Sequence, residues 1–175
     1  MENFIRTQNL IGEKNMQKLG KSRVLIFGIG GVGGYVAEGL ARSGIGNLTL
    51  VDFDVVSESN INRQIIATYS AVGQKKVEVM KKRILDINPN ATVQIFDIKF
   101  NEETKEQINF GDYDYVVDAI DMVTSKLLII ELAKQNNTPI ISCMGTGNKL
   151  DSTKLQICDI SKTHMCPLAK LWENC

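Results

Sequence analysis

Apolar positions open weakly: between residues 7 and 20, Leu10, Ile11 and Leu19 stand among Gln, Asn, Glu and Lys. That spacing predicts a helical lead-in over residues 1–20 rather than a core element. From Arg23 the pattern changes. Val24-Leu25-Ile26-Phe27 is apolar without interruption and runs into Gly28-Ile29-Gly30-Gly31-Val32-Gly33. An unbroken apolar run needs cover on both faces, which predicts a buried parallel strand entering a glycine turn. Val36, Ala37, Leu40 and Ala41 then recur at helical spacing until Gly44-Ile45-Gly46, and Leu48-Thr49-Leu50-Val51-Asp52 supplies a second strand. The three pieces make a βαβ unit.

The same alternation fills the rest of the chain. Residues 72–87 carry Val77, Met80, Ile84 and Ile87 on one helical stripe, and Pro89 follows as a stop. Strands are predicted over 92–96, 113–118 and 138–142, with a helix over about 125–135 and one more strand over 154–160; residues 161–167 show no periodicity. Strands alternating with helices predict an α/β fold over residues 21–175: a Rossmann-like, doubly wound, mostly parallel sheet with helices on both faces.

Composition narrows the function classes. The 175 residues hold 20 Lys and Arg against 20 Asp and Glu, so no net field draws in nucleic acid or an anionic membrane, and a polyanionic partner has to be held by a local patch. Four cysteines, Cys143, Cys158, Cys166 and Cys175, form no CxxC pair, and the single histidine is not at ligand spacing. They are read as reduced thiols of a cytoplasmic protein. The first residues lack a basic stretch followed by an apolar one, and the longest apolar tract is broken by glycines and Glu38, so no membrane span is expected.

Gly28, Gly30 and Gly33 sit between a strand and a helix, and Asp52 ends the next strand at the offset of a dinucleotide fingerprint. Glycines let backbone N–H groups approach a phosphate at the positive end of the helix, and a carboxylate at that offset accepts ribose hydroxyls. A turn or capping aspartate is the other reading of Asp52. An NAD enzyme keeps its phosphates on backbone donors and needs no basic cluster beyond that acid. This chain has one: Ser59-Asn60-Ile61-Asn62-Arg63-Gln64 and Gly73-Gln74-Lys75-Lys76 place Arg63 and Lys76 to flank a triphosphate. Asp118 and Asp121 follow the strand ending in Val116-Val117, at the edge where doubly wound sheets bind ligands, and either can hold Mg²⁺ beside phosphates. No GxxxxGK[ST] loop, Ser-His-Asp set or HExxH is present. Of the thiols, Cys166 beside His164 is the one worth testing as a nucleophile, although a structural thiol is the plainer reading.

These motifs, with Asp52-Phe53-Asp54-Val55-Val56 and Asp118-Ala119-Ile120-Asp121, resemble the ubiquitin-activating-enzyme-like adenylyltransferases of the ThiF, MoeB and HesA type. Within that superfamily, Leu40-Ala41-Arg42-Ser43-Gly44-Ile45-Gly46, Asp86-Ile87-Asn88-Pro89 and the run from Lys154 to Thr163 look most like the tRNA threonylcarbamoyladenosine dehydratases. The resemblance implies an ATP site made by Gly28, Gly30, Gly31, Gly33, Asp52, Asp54, Asn60, Arg63, Gln64, Lys76 and Asp121, with Asp52 on the ribose and Asp121 serving Mg²⁺. It implies catalytic roles for Arg63, Lys76, Asp121 and Arg6, the last reaching from a partner subunit of a homodimer, and makes Lys126 a weaker candidate for the polyphosphate. The expected substrate is tRNA. A ubiquitin-like sulfur-carrier protein with a C-terminal glycine is the alternative, and a non-catalytic nucleotide-binding module a third reading. Relatives that activate such carriers usually have zinc-binding CxxC pairs and a downstream cysteine nucleophile, neither of which is legible here. Dehydratases continue past the position of Cys175, which implies an ATP-binding domain in abbreviated form.

Overall fold

The computed structural model describes residues 2–147 and 150–170. Five strands, β1 (Arg23–Phe27), β2 (Asn47–Val51), β3 (Thr92–Phe96), β4 (Tyr115–Asp118) and β5 (Ile140–Ser142), form one all-parallel sheet in the order β3-β2-β1-β4-β5. The helices are α1 (Ile5–Ile11), α2 (Glu13–Lys21), α3 (Gly33–Arg42), α4 (Lys76–Ile87), α5 (Val123–Gln135) and the short α6 (Pro167–Lys170). The expected doubly wound architecture is present, and parallel throughout.

β1 shows why its sequence has no polar break. Val24 and Ile26 join the apolar cluster of α3 and α4 with Ala37, Ala41, Val77, Met80 and Ile84. Leu25 and Phe27 point to the other face, with Val116, Leu128, Ile129 and Ala133. Each such fully buried side chain contributes about 1.5–3 kcal/mol, so the central strand anchors both layers. Phe27 also meets Phe100 and Phe110, with ring centroids 4.7 and 5.7 Å away.

The chain winds outward from β1 to β2 and β3, then returns to place β4 on the other side of β1. The crevice between the carboxyl ends of β1 and β4 is the switch point where open α/β sheets bind ligands. At the opposite end of α3, the buried Phe4 and the half-buried Met16 lie over Gly44: a Cβ there would come within 2.9 Å of Met16 Cε.

β4 and β5 each start two residues later than expected, and two elements differ more. α4 starts at Lys76 rather than 72, because 54–56 pairs antiparallel with 73–76 through Val56 N–Gln74 O (2.8 Å) and Lys76 N–Asp54 O (3.0 Å), with Gly73 at φ +84°. The expected strand over 154–160 is absent. Short 3₁₀ turns occupy Ser152–Lys154 and Ile160–Lys162, each opened by an aspartate accepting from the backbone two residues on. Leu155 and Ile157 are 56% and 89% exposed, so the alternation that suggested a strand finds no apolar layer to face.

Candidate active site

The glycine turn is built by two kinds of glycine. At Gly28, with φ +85°, a Cβ would lie 2.7 Å from Ala119 O, and at Gly33 it would lie 1.7 Å from Gly28 O. Those two serve the fold itself by letting α3 approach the strand. Gly30 and Gly31 meet nothing closer than Gln64 Nε2 at 3.8 Å and Arg63 O at 3.6 Å, so the space above them is open to a ligand. Among the described residues, the N–H groups of Gly30, Gly31 and Val32 donate to no protein acceptor. Unpaired donors at the start of a helix suit an anion.

Asp52 follows β2 and locks this turn to the next loop. Its Oδ2 accepts from Ile29 N at 2.6 Å, and its Oδ1 accepts from Asp54 N at 2.8 Å. Burial pushes its pKa up, while these N–H groups and Lys76 pull the other way. A turn aspartate and a ribose-binding aspartate are therefore not exclusive: each oxygen gives one lone pair to the turn and keeps another for a hydroxyl.

The segment after β2 comes to the same place. Arg63 packs its backbone and Cγ beside Gly31, and its guanidinium donates to Ser59 O (2.8 Å) and Asn62 Oδ1 (3.1 Å) while staying exposed. Asn60 is buried, and its Oδ1 accepts from Ser57 N at 3.1 Å. Gln64 is only 7% exposed, and its Oε1 is buried with no hydrogen-bond partner among the described residues. A buried acceptor left unpaired costs about 1–3 kcal/mol, which a ligand or solvent donor relieves. Lys76, the first residue of α4, is buried along its stem and ion-paired with the half-exposed Asp54 at 2.7 Å. Lys75 pairs with Asp97 instead.

Asp121 lies exposed in the loop between β4 and α5. Asp118, the other carboxylate expected to be able to hold Mg²⁺, is not exposed there. It is fully buried, its Oδ2 accepts from Lys126 Nζ (2.7 Å) and Ser142 Oγ (2.5 Å), and its Oδ1 accepts from Ile120 N (3.3 Å). Lys126, the weaker candidate for the polyphosphate, has no exposed surface, and its ammonium is held by Asp118, Cys143 O (2.9 Å) and Ser142 Oγ (3.3 Å). Three donors meet three protein acceptors, leaving none for a phosphate. The signal for this pair was in the sequence: Lys126 falls on the buried stripe of α5 with Leu128, Ile129 and Ala133, where a lysine needs a buried acid.

Arg6 is exposed on α1, which packs with Phe4 and α2 near the far end of α3, so a single chain does not bring it to the glycine turn. His164 is exposed and Cys166 buried. Burial also raises the Cys143 thiol. Among the described residues no group of three or more His, Cys, Asp or Glu is placed to hold a metal, and no helix is long and apolar enough to cross a membrane. Two clefts of about 250 and 280 Å³, around Lys105 and Asn136 and around Asn101 and Ser125, include none of the site residues.

The ThiF family model matches residues 4–168. The chain belongs to the ThiF family. It is 46% identical to a tRNA threonylcarbamoyladenosine dehydratase of Bacillus subtilis over 98% of this chain and 67% of that protein. Identity to the Escherichia coli protein of the same name is 41%, over 96% and 63% respectively. The chain thus spans roughly two thirds of the length of these relatives. The crystal structure of the Escherichia coli dehydratase in complex with ATP is similar to it with a TM-score of 0.95 at 40% identity, covering 99% of this chain and 71% of that one. An Escherichia coli MccB structure with ATP reaches a TM-score of 0.66 at 28% identity over 73% of this chain.

Proposed function

We propose that this chain forms the adenylating part of a tRNA threonylcarbamoyladenosine dehydratase. The observation that carries the reading is the convergence of unpaired N–H groups at Gly30, Gly31 and Val32 with Asp52, Arg63 and the unsatisfied Gln64, in a chain that matches an ATP-bound dehydratase over 99% of its length. ATP lies with its phosphates over the glycine turn and its ribose on Asp52. Arg63, Asn60 and Lys76 meet the polyphosphate, and Asp54 keeps the Lys76 ammonium in place.

A carboxylate is anionic and carries no leaving group, so it has to be activated. One carboxylate oxygen of the threonyl group attacks the α-phosphorus of ATP, the α–β anhydride bond breaks, and pyrophosphate leaves. A nitrogen of the same substrate then attacks the acyl carbon, loses its proton and expels AMP; the nucleoside has lost the elements of water. Tethering raises the effective concentration of that nitrogen, so no enzyme nucleophile is needed. Arg63 and Lys76 stabilise charge that develops on the phosphates, a role worth about 10³–10⁵ in rate for arginine in other phosphoryl-transfer enzymes.

Asp121, an exposed carboxylate just past the end of β4, is the residue that would hold Mg²⁺, which would supply positive charge to the polyphosphate. Arg6 acts in the site of a second copy, which makes the working unit a homodimer. The test is exchange of labelled pyrophosphate into ATP. It is expected only with tRNA carrying the modified adenosine and is lost in Lys76→Ala. Exchange driven instead by a carrier protein ending in glycine contradicts the reading.

A further inference from the structure

Lys126 and Asp118 form an ion pair in which neither side chain has any exposed surface. A buried pair adds little stability over apolar residues of the same size, so its value lies in what it holds in place. Asp118 ends β4, and Lys126 stands in the first turn of α5, donating its N–H to Met122 O at 3.0 Å. Between them runs the loop 119–122.

Every end of that loop is fixed. Ile120 N donates to Asp118 Oδ1, Ala119 N donates to Phe27 O at 2.9 Å, and Ala119 O crowds the place a Gly28 Cβ would take. Ser142 and the Cys143 carbonyl tie the pair to the end of β5, and Cys143 N donates back to Asp118 O at 2.8 Å. The exposed acid this clasp presents to solvent is Asp121.

Resting on the adenylation reading above, we propose that Asp118 and Lys126 are positioning residues that clamp the loop 119–122 so that Asp121 presents its carboxylate to the magnesium of bound ATP. Neither residue touches nucleotide or metal. Ser142 supports the clasp from β5.

The experiment measures affinity by calorimetry for AMP, for ATP with a chelator and for ATP with Mg²⁺. The proteins are the unaltered chain, Asp121→Ala, the charge-neutral double variant Asp118→Asn/Lys126→Gln and the triple variant that combines the three substitutions. The magnesium-dependent gain in ATP affinity should fall on the order of tenfold in the double variant, the scale of one charge-assisted contact, while AMP affinity stays within about twofold. In an Asp121→Ala background the double variant should cost nothing further, because the contact it positions is already gone. A folded double variant that keeps the full gain, or that loses AMP affinity in the same proportion, overturns the clamp. If the double variant does not fold, Ser142→Ala, which keeps the ion pair, should show a smaller loss of the same gain, and an unchanged gain there overturns it as well. An unaltered chain that binds ATP without any gain from Mg²⁺ removes the role of Asp121 and the clamp with it; one that binds no ATP removes the adenylation reading itself.

Discussion

Gly30 and Gly33 are the same residue three positions apart, and the structure gives them different work. Gly33→Ala drives a methyl into the Gly28 carbonyl and should cost about 3 kcal/mol or more in unfolding free energy. Gly30→Ala meets only Gln64 Nε2, at an ordinary contact of 3.8 Å, so it should leave stability within about 0.5 kcal/mol while weakening ATP binding. Paired denaturant melts and titrations check the split, and equal losses in both properties for both variants would deny the turn its binding role. Gln64→Leu separates the same two properties: it removes an unsatisfied buried acceptor, so the chain should melt no lower than before, yet bind ATP on the order of tenfold more weakly. Asp52→Ala should weaken ATP binding by about 1.5–3 kcal/mol and also destabilise the apoprotein, since it takes partners from Ile29 and Asp54. The fingerprint spacing made Asp52 legible in the sequence. The orphaned Gln64 oxygen was not, because only the fold shows which polar atoms lack partners.

At the scale of elements, α3 and α4 are joined by charge as well as by apolar contact. Glu38 is buried on α3 and accepts from Arg83 (2.5 and 3.0 Å) and Arg42 (2.8 Å). Burial raises its carboxyl, but the two guanidiniums outweigh it, and the pKa is held below its ordinary 4.5. A depressed acid gives stability that is present above pH 4.5 and is lost as pH falls through the folded value. Glu38→Ala should cost about 1–2 kcal/mol at neutral pH, allowing for screening of the partly exposed arginines, and should flatten the acid limb of the stability curve. An acid limb as steep as that of the parent would contradict this. The βαβ units were legible because β1, β2 and β4 bury both faces and helices α3 to α5 keep an apolar stripe. The strand expected over 154–160 was not, since local alternation says nothing about whether a layer exists to receive it. Asp118 and Asp121 stand three apart in sequence, and only the fold shows that the first is buried against Lys126 while the second is exposed.

For the whole molecule, the proposed site draws one cation, Arg6, from a second copy of the chain. That arginine lies exposed on α1, toward the far end of α3. A 10-residue helix is about 15 Å long, so the same chain does not carry Arg6 to the glycine turn. Mixing Arg6→Ala subunits with Asp121→Ala subunits should therefore rebuild one intact site in each mixed dimer. Turnover above that of either variant alone is the expected result; none, with mixed dimers shown to form, contradicts an arginine acting in trans.

The proposed activity is activation of the carboxylate of threonylcarbamoyladenosine for closure by the nucleoside's own nitrogen. The direct measurement incubates the chain with ATP, Mg²⁺ and modified tRNA, digests the tRNA, and weighs the nucleosides. A cyclic nucleoside lighter by one water is expected, with AMP released in equal amount, and the same product from a variant in which all four cysteines are replaced. Loss of cyclisation in a cysteine-free chain that still folds and binds ATP, or an unchanged nucleoside alongside adenylation of a carrier protein's terminal glycine, would contradict it.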